Sequence, residues 1–162
     1  MGITLIRIDD RLIHGQVVEG WLRHLNVNCI FVANSAVAND EMQCSLYNIS
    51  VPSGVRVECF PVERAVPELL SGSLQDYSVL VLVSSPQDAL TLVKKGLRVP
   101  SINVGGMHYS PGKQQLMKSF SVNESDVEAL IELSRYNIEL EGRVLPQDER
   151  VNILEVLRNF KK

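Results

Sequence analysis

The sequence predicts an α/β fold, a single-domain three-layer sandwich with a mostly parallel sheet of about seven strands and helices on both faces. Short apolar runs alternate along the chain with amphipathic stretches, and the joins between them are short. Such alternation is typical of parallel strands that are connected by helices. The 162 residues fit one domain, 1–162, and no linker or composition break divides them.

The first third of the chain alternates strand and helix. Ile3–Ile8 is an apolar run and is predicted as a strand. Gln16–Leu25 is predicted as a helix because its apolar residues recur at helical spacing. Cys29–Ala33 is a second strand. A helix over Asn39–Ile49 ends before a Pro-Ser-Gly turn signal, after which Val55–Phe60 is the third strand.

The middle of the chain carries the clearest patterns. Apolar residues in Val62–Leu70 follow the spacing of a buried helical stripe, and Pro67 is expected to kink or shorten this helix because it lacks a backbone donor. Tyr77–Ser85 is the longest apolar run and is therefore the predicted central strand. Ser85–Asp88 resembles a helix start, with a capping serine followed by proline, and opens a helix to about Leu97.

The last third continues the alternation. Ser101–Gly106 is a strand that runs into glycines, and Leu116–Val122 is a further short strand. Asn123–Asn137 is a helix, Ile138–Leu145 is a strand, and Asp148–Phe160 is the closing helix. In an open parallel sheet of this kind, a ligand crevice forms at the carboxyl ends of the strands.

Composition excludes several classes of function. The formal net charge of −3 gives no reason to expect nucleic acid as a partner. The N-terminal segment has no basic region followed by an apolar core, and no apolar run approaches the roughly 18 residues of a membrane span, so a cytosolic protein is expected. The three cysteines are far apart, and buried free thiols are the expected interpretation.

The turn after the first strand gathers the chain's most reactive side chains. His14 lies just past that strand and directly before the predicted helix, whose free N–H groups would point toward it. Gly15 would let an anion approach the backbone closely. Arg7 and Arg11 offer planar sets of donors that suit phosphate oxygens. The sequence therefore predicts an anion pocket beside an imidazole.

Asp9 and Asp10 can hold an arginine or fix the tautomer of the histidine. A neutral imidazole is a competent nucleophile at neutral pH, so phosphoryl transfer through a phosphohistidine is possible. These residues alone leave two alternatives open, a general acid–base site and a surface cluster of ion pairs. The GK at 112–113 lacks P-loop spacing, and no GxGxxG opens the first helix, so nucleotide sites are not predicted.

Several motifs resemble a known family. Arg7–Val17, RIDDRLIHGQV, resembles the signature of the IIB subunit of the mannose/fructose/sorbose-type sugar phosphotransferase system. The resemblance continues in order along the chain through five further motifs, VAND (37–40), PSGVRV (52–57), PQDAL (86–90), INVGGM (102–107) and GK (112–113). It implies an α/β carrier that uses no metal or organic cofactor.

The family resemblance also implies a role for each residue of the turn. It implies that His14 is phosphorylated on Nδ1 by a phosphohistidine of a IIA partner. The group then passes to a hexose-type sugar bound by a IIC/IID membrane permease. Arg7 and Arg11 match the basic residues of the active loop and are expected to bind phosphate. Asp10 is expected to orient Arg11 or the His14 ring. Gly15 and Gln16 are expected to contribute backbone donors.

Two later loops are expected to complete the crevice. Ser84 and Ser85 follow the fourth strand, with helix capping as the alternative role, and Gly105 and Gly106 end the fifth, with a tight turn as the alternative. Asn34-Ser35, Gln43-Cys44 and His108-Tyr109 depart from the family pattern around the mouth of the expected site. A second functional hypothesis is therefore kept, a phosphorylation-state sensor that regulates a protein partner through phospho-His14.

Overall fold

The computed structural model describes residues 2–162. It contains nine strands, β1 (Gly2–Asp9), β2 (Cys29–Ala33), β3 (Arg56–Phe60), β4 (Ser78–Val83), β5 (Ser101–Gly106), β6 (Gln114–Met117), β7 (Phe120–Val122), β8 (Glu139–Gly142) and β9 (Val151–Asn152). Seven of them form one sheet in the order β3-β2-β4-β1-β5-β8-β9. The pairs from β3 to β8 are all parallel, and β9 pairs antiparallel with β8. The predicted mostly parallel sheet is confirmed.

The helices connect these strands. The chain after β1 enters a π-helical stretch (Val17–Trp21) that runs directly into α1 (Leu22–Leu25), and the two together are called the first helix. The other helices within residues 2–162 are α2 (Ser35–Ala38), α3 (Glu41–Ser50), α4 (Val62–Leu70), α5 (Pro86–Lys94), α6 (Glu124–Ser134) and α7 (Ile153–Leu157). Among residues 2–162 there is no helix with the length and apolarity that a bilayer span requires.

Two apolar clusters cover the two faces of the sheet. One includes residues of α4, α5, α6 and α7, and the other includes residues of the first helix together with partly buried residues of α3. The interior strand β4 contributes to both, because its side chains alternate and Val79 to Val83 are all buried. Helices on both faces of one sheet make three layers, so the predicted fold class is confirmed.

Several predicted elements differ from those in the structure, among them the strand over 138–145, which covers only Glu139–Gly142. The single strand over 116–122 is a hairpin of β6 and β7, which form a separate two-stranded sheet. The helix predicted over 39–49 begins only at Glu41, because Asp40 caps α3 by accepting the N–H of Gln43, and the separate short helix α2 precedes it. The closing helix begins only at Ile153. The two residues before it, Val151–Asn152, form the strand β9, whose backbone groups hydrogen-bond to the edge of β8.

Pro67 does not shorten its helix relative to the predicted extent. The helix α4 extends from Val62 to Leu70 with Pro67 inside it. Ala65 and Val66 are buried in the core beside this position. Their packing stabilises the helix against the loss of one backbone hydrogen bond.

The topology places the carboxyl end of β1 at the reversal point of the sheet. The chain leaves β1 toward β2 in one half of the sheet, whereas it leaves β5 toward β8 in the other half. Since β1 and β5 are neighbours, the crevice rule for open α/β sheets places a ligand at their carboxyl ends. His14 lies in the turn that follows β1.

Candidate functional site

His14 lies between β1 and the first helix. Its carbonyl oxygen accepts the N–H groups of Val17 and Val18 at 3.0 and 3.1 Å, so the helix begins directly after it. The turn that precedes it contains Leu12, a buried residue with φ of 57°, which is a strained conformation for a branched side chain. The burial of Leu12 and Ile13 holds this turn against the core while the His14 side chain stays 15% exposed.

Asp9 fixes the orientation of the His14 ring. Nε2 of His14 lies 2.8 Å from Oδ2 of Asp9. Burial raises the pKa of Asp9, but the hydrogen bond from His14 and the charge of Arg7 outweigh it, so this pKa lies below its usual value and the group is a carboxylate. A carboxylate only accepts hydrogen bonds, so the ring proton lies on Nε2. No group within residues 2–162 hydrogen-bonds to Nδ1, which is left with its lone pair.

The prediction that Arg7 binds phosphate directly is wrong. Its side chain is entirely buried, and its donors are used inside the protein. Nη2 donates to Oδ2 of Asp9 at 2.9 Å, and Nη1 donates to Oδ1 of Asn103 at 2.6 Å and to the carbonyl of Arg143 at 3.0 Å. Arg7 therefore supports the carboxylate that holds His14, and it does not face the solvent side of the turn.

A row of polar side chains extends from Arg7 across three neighbouring strands. Asn103 on β5 is paired in register with Arg7 on β1 and with Glu141 on β8. Its Nδ2 donates to Oε1 of Glu141 at 3.1 Å, and Glu141 in turn accepts two hydrogen bonds of 3.0 Å from Arg143. These groups satisfy one another, and within residues 2–162 no buried side-chain nitrogen or oxygen lacks a partner.

Trp21 covers this polar row. The guanidinium groups of Arg7 and Arg143 each lie over its ring, 5.1 Å from the ring centroid. Its Nε1 donates to the carbonyl of Val144 at 2.8 Å. Two cation–π contacts and one hydrogen bond thus connect the first helix to the polar row, so the helix that begins after His14 has a fixed position.

The prediction that Gly105 and Gly106 line a phosphate site is wrong, and so is the alternative of a tight turn. Both are buried residues of β5. A Cβ at Gly105 would lie 1.9 Å from Cζ of Arg7, and one at Gly106 would lie 2.9 Å from Oδ1 of Asp9. The side chains of Arg7 and Asp9 occupy the space that these glycines leave.

Arg11 and Gln16 lie on the exposed side of the turn. The Arg11 side chain is 48% exposed, its Nη2 donates to Oε1 of Gln16 at 2.9 Å, and its backbone N–H donates to Oδ1 of Asp9 at 3.1 Å. Next to them, a Cβ at Gly15 would meet no atom within 4 Å. Arg11 and His14 thus share Asp9 as a partner beside an open space at the helix start, which suits an anion.

The chain is similar to known proteins over almost its whole length. A family model described as the PTS system sorbose subfamily IIB component matches residues 3–162. The chain belongs to this family of IIB components. Within it, the sorbose-specific EIIB component of Klebsiella pneumoniae is 41% identical over 155 residues, which are 96% of this chain and 94% of that protein.

Two further relatives extend the comparison. The mannose-specific EIIAB component of Escherichia coli K12 is 35% identical over all 162 residues of this IIB component, which spans 50% of that longer chain. The crystal structure of the IIBSor domain of the sorbose permease from Klebsiella pneumoniae superposes with a TM-score of 0.93 at 39% identity and covers 99% of both chains. That structure also supports the fold described above.

The choice of Asp10 as the residue that orients Arg11 or the ring is wrong for this IIB component. Asp10 points to the loop after β5, where its Oδ2 accepts the backbone N–H of His108 at 2.7 Å and its Oδ1 lies 2.6 Å from Nδ1 of His108. The carboxylate on His14 and on the Arg11 backbone belongs to Asp9. The two consecutive acids therefore have different partners.

The structure does not bring Ser84 and Ser85 into the His14 cluster. Oγ of Ser85 accepts the N–H of Asp88 at 3.2 Å and caps α5, as its alternative role predicts. Oγ of Ser84 accepts Nδ2 of Asn34 at 3.1 Å and donates to Asp88 at 3.3 Å. No hydrogen bond within residues 2–162 joins either serine to His14. Their predicted phosphate-binding role is not supported by these contacts.

Proposed function

We propose that this IIB component is a phosphoryl carrier. Nδ1 of His14 accepts a phosphoryl group from a phosphohistidine of a IIA partner and passes it to a hexose-type sugar that the IIC/IID membrane permease holds. The contact of Nε2 with Asp9 carries this proposal, because it leaves Nδ1 as the nitrogen with a free lone pair on a partly exposed ring. The carrier is cytoplasmic and docks on the permease, and residues 1–162 act as one phosphocarrier domain.

In the charging step, the lone pair of Nδ1 attacks phosphorus and the bond from phosphorus to the donor nitrogen breaks. The His14 ring gains positive charge as the new bond forms. The Asp9 carboxylate, 2.8 Å from Nε2, stabilises that charge. The space beside Gly15 is open, and Arg11 donates to Gln16 next to it. Arg11 and the backbone N–H groups of Gly15 and Gln16 would bind the phosphoryl oxygens there.

In the delivery step, a sugar hydroxyl attacks phosphorus and the electron pair of the nitrogen–phosphorus bond returns to Nδ1. Arg7 contributes to both steps by holding Asp9, since a buried carboxylate with fixed partners keeps its position and its charge. One relative supports the IIA partner, because it is named an EIIAB component and this chain spans only half of its length. Sorbose and mannose are the first sugars to test, because both occur in the names of relatives.

The experiment that tests this proposal follows labelled phosphate from a phosphorylated IIA protein through this protein to sugar. Permease membranes are added with a panel of hexoses that includes sorbose and mannose. We expect labelled sugar phosphate only when this protein is present. A protein that is charged by IIA and passes no label to any sugar would instead be the phosphorylation-state sensor.

Arg11→Ala is expected to slow phosphoryl transfer far more than it alters folding. About half of the Arg11 side chain is exposed, and the charge that it places beside His14 is expected to stabilise the phosphoryl oxygens. A loss of roughly 10² to 10³ in transfer rate is typical for one such donor. The measurement is single-turnover transfer from phosphorylated IIA, with the melting temperature taken alongside.

The matched control is Arg23→Ala, which removes an exposed arginine that forms an ion pair with Glu19 in the first helix. We expect Arg23→Ala to transfer at the wild-type rate. Equal rates for Arg11→Ala and the wild-type protein would show that Arg11 does not stabilise the transferred group.

A further inference from the structure

A second carboxylate–imidazole pair lies next to the first one. Asp9 holds His14 and its neighbour Asp10 holds His108, so two consecutive acids at the end of β1 each orient one histidine. Asp9 and Asp10 are adjacent residues, with Cα atoms about 3.8 Å apart, so both pairs are attached at the carboxyl end of β1. The pairs use opposite ring nitrogens, because His14 contacts its acid through Nε2 whereas His108 does so through Nδ1.

His108 is held firmly in the loop that follows β5. Its backbone N–H donates to Oδ2 of Asp10 at 2.7 Å, and its Nδ1 lies 2.6 Å from Oδ1 of the same carboxylate. The backbone N–H of Asp10 donates to the carbonyl of Gly106 at 2.9 Å. These three contacts join the loops after β1 and β5, which are the strands at the reversal point of the sheet.

The remaining ring nitrogen of His108 is free to act. The side chain is 43% exposed, and no group within residues 2–162 hydrogen-bonds to Nε2. The Asp10 carboxylate accepts from Nδ1, so a neutral ring has its lone pair on Nε2. A neutral imidazole with a free lone pair can act as a general base and accept a proton from a hydroxyl.

The two half-reactions of the proposed function, charging of His14 and delivery to the sugar, differ in whether they need a proton acceptor. Charging moves a phosphoryl group from one histidine to another, and no hydroxyl proton has to be removed. Delivery makes a sugar hydroxyl the nucleophile, and its proton must go to a base as the oxygen–phosphorus bond forms. A base in the crevice would therefore accelerate delivery and leave charging unchanged.

Other carboxylates near the turn are already engaged. Asp9 is buried and accepts from both His14 and Arg7. Both oxygens of Asp10 are used by His108. Glu141 is buried and bonded to Arg143. His108, by contrast with these carboxylates, has an exposed ring and a basic nitrogen without a hydrogen-bond partner in residues 2–162.

We propose that His108 is the proton acceptor for transfer to the sugar, an inference that rests on the proposed function. The sugar oxygen bonds to phosphorus, the bond from phosphorus to Nδ1 of His14 breaks, and its electron pair returns to that nitrogen. The hydroxyl proton moves to Nε2 of His108. The resulting imidazolium is stabilised by Asp10 and later releases its proton to water.

The test measures the two half-reactions separately in His108→Gln. Charging of His14 by phosphorylated IIA is expected to stay within twofold of the wild-type rate. Delivery to a hexose, with permease membranes and the charged protein, is expected to fall roughly 10²-fold, the typical contribution of one general base. His24→Gln is the control, since it makes the same change at a histidine that contacts the edge of Trp21.

A second variant separates chemistry from docking. His108→Ala is expected to lose delivery in the same way and to regain part of it when imidazole is added to the solution. Wild-type delivery in His108→Gln, an equal loss in both half-reactions, or no effect of imidazole would overturn the role of His108. If the wild-type protein cannot be charged by IIA at all, the proposed function itself fails, which is a different result.

Discussion

His14→Ala is expected to abolish phosphorylation of this protein by phosphorylated IIA. The variant removes the Nδ1 lone pair that the contact with Asp9 leaves free, and no other side chain replaces it. Asp9 keeps its ion pair with Arg7, so the fold is expected to persist. The measurement is incorporation of labelled phosphate that is labile in acid and stable in base, together with a thermal melt of the variant.

The other two histidines provide the controls for this experiment. His24→Ala and His108→Ala are both expected to retain the label, because neither ring is held by Asp9 beside the open space at the helix start. Label that persists in His14→Ala, or that disappears in His108→Ala while the protein stays folded, would place the phosphoryl group on a different residue.

Gly105→Ala is expected to destabilise the protein strongly. The added Cβ would lie 1.9 Å from Cζ of Arg7, and the guanidinium cannot move aside without leaving Asp9 and Asn103. Breaking a buried ion pair of this kind costs about 3–5 kcal/mol. For a chain of this size, such a loss lowers the melting temperature by about 10 °C, which differential scanning calorimetry would measure.

Other glycines provide a graded series for comparison. Gly106→Ala brings its Cβ to 2.9 Å from Oδ1 of Asp9 and is expected to have a smaller effect on stability. A Cβ at Gly15 meets nothing within 4 Å, so Gly15→Ala is expected to melt close to the wild-type temperature. If Gly105→Ala were as stable as Gly15→Ala, the Arg7 side chain would not be fixed as described.

The fold class could be predicted from the sequence because each strand and helix has its own local pattern. The run Tyr77–Ser85 is apolar throughout its centre, and the structure buries Ser78–Val83 of it as the interior strand β4, next to β1. The order of strands could not be predicted in this way, since it depends on which half of the sheet each helix crosses. The strand β9 was missed because two residues carry too little pattern to distinguish a strand from a helix start.

The choice between Asp9 and Asp10 shows how a one-residue difference in a strand boundary changes a site. The predicted first strand ends at Ile8, so both acids lie in the predicted turn and either one could orient His14 or Arg11. In the structure, β1 continues to Asp9, so Arg7 and Asp9 point to the same side and Asp10 does not share their partners. A strand extended by one residue would have favoured Asp9.

The residues of the polar row behind His14 are visible in the sequence as polar residues within buried strands, but their contacts depend on how the strands pair. Arg7 and Asn103 each lie among apolar residues of a buried strand, and Glu141 is a buried acid in β8. A polar residue inside a buried strand needs a partner, but the sequence does not give the register that places these three side by side. The role of Trp21 could not be predicted either, because its partners Arg7 and Arg143 are brought together only by tertiary structure.

The most direct test of the central claim is to identify which ring nitrogen of His14 carries the phosphoryl group. Nitrogen-15 and phosphorus-31 NMR of the charged protein, labelled in histidine, distinguishes the two isomers. Since Asp9 occupies Nε2, we predict the Nδ1 phosphoramidate with the hydrogen bond from Nε2 to Asp9 retained. Phosphorylation on Nε2 would require His14 to leave Asp9 and would contradict this account.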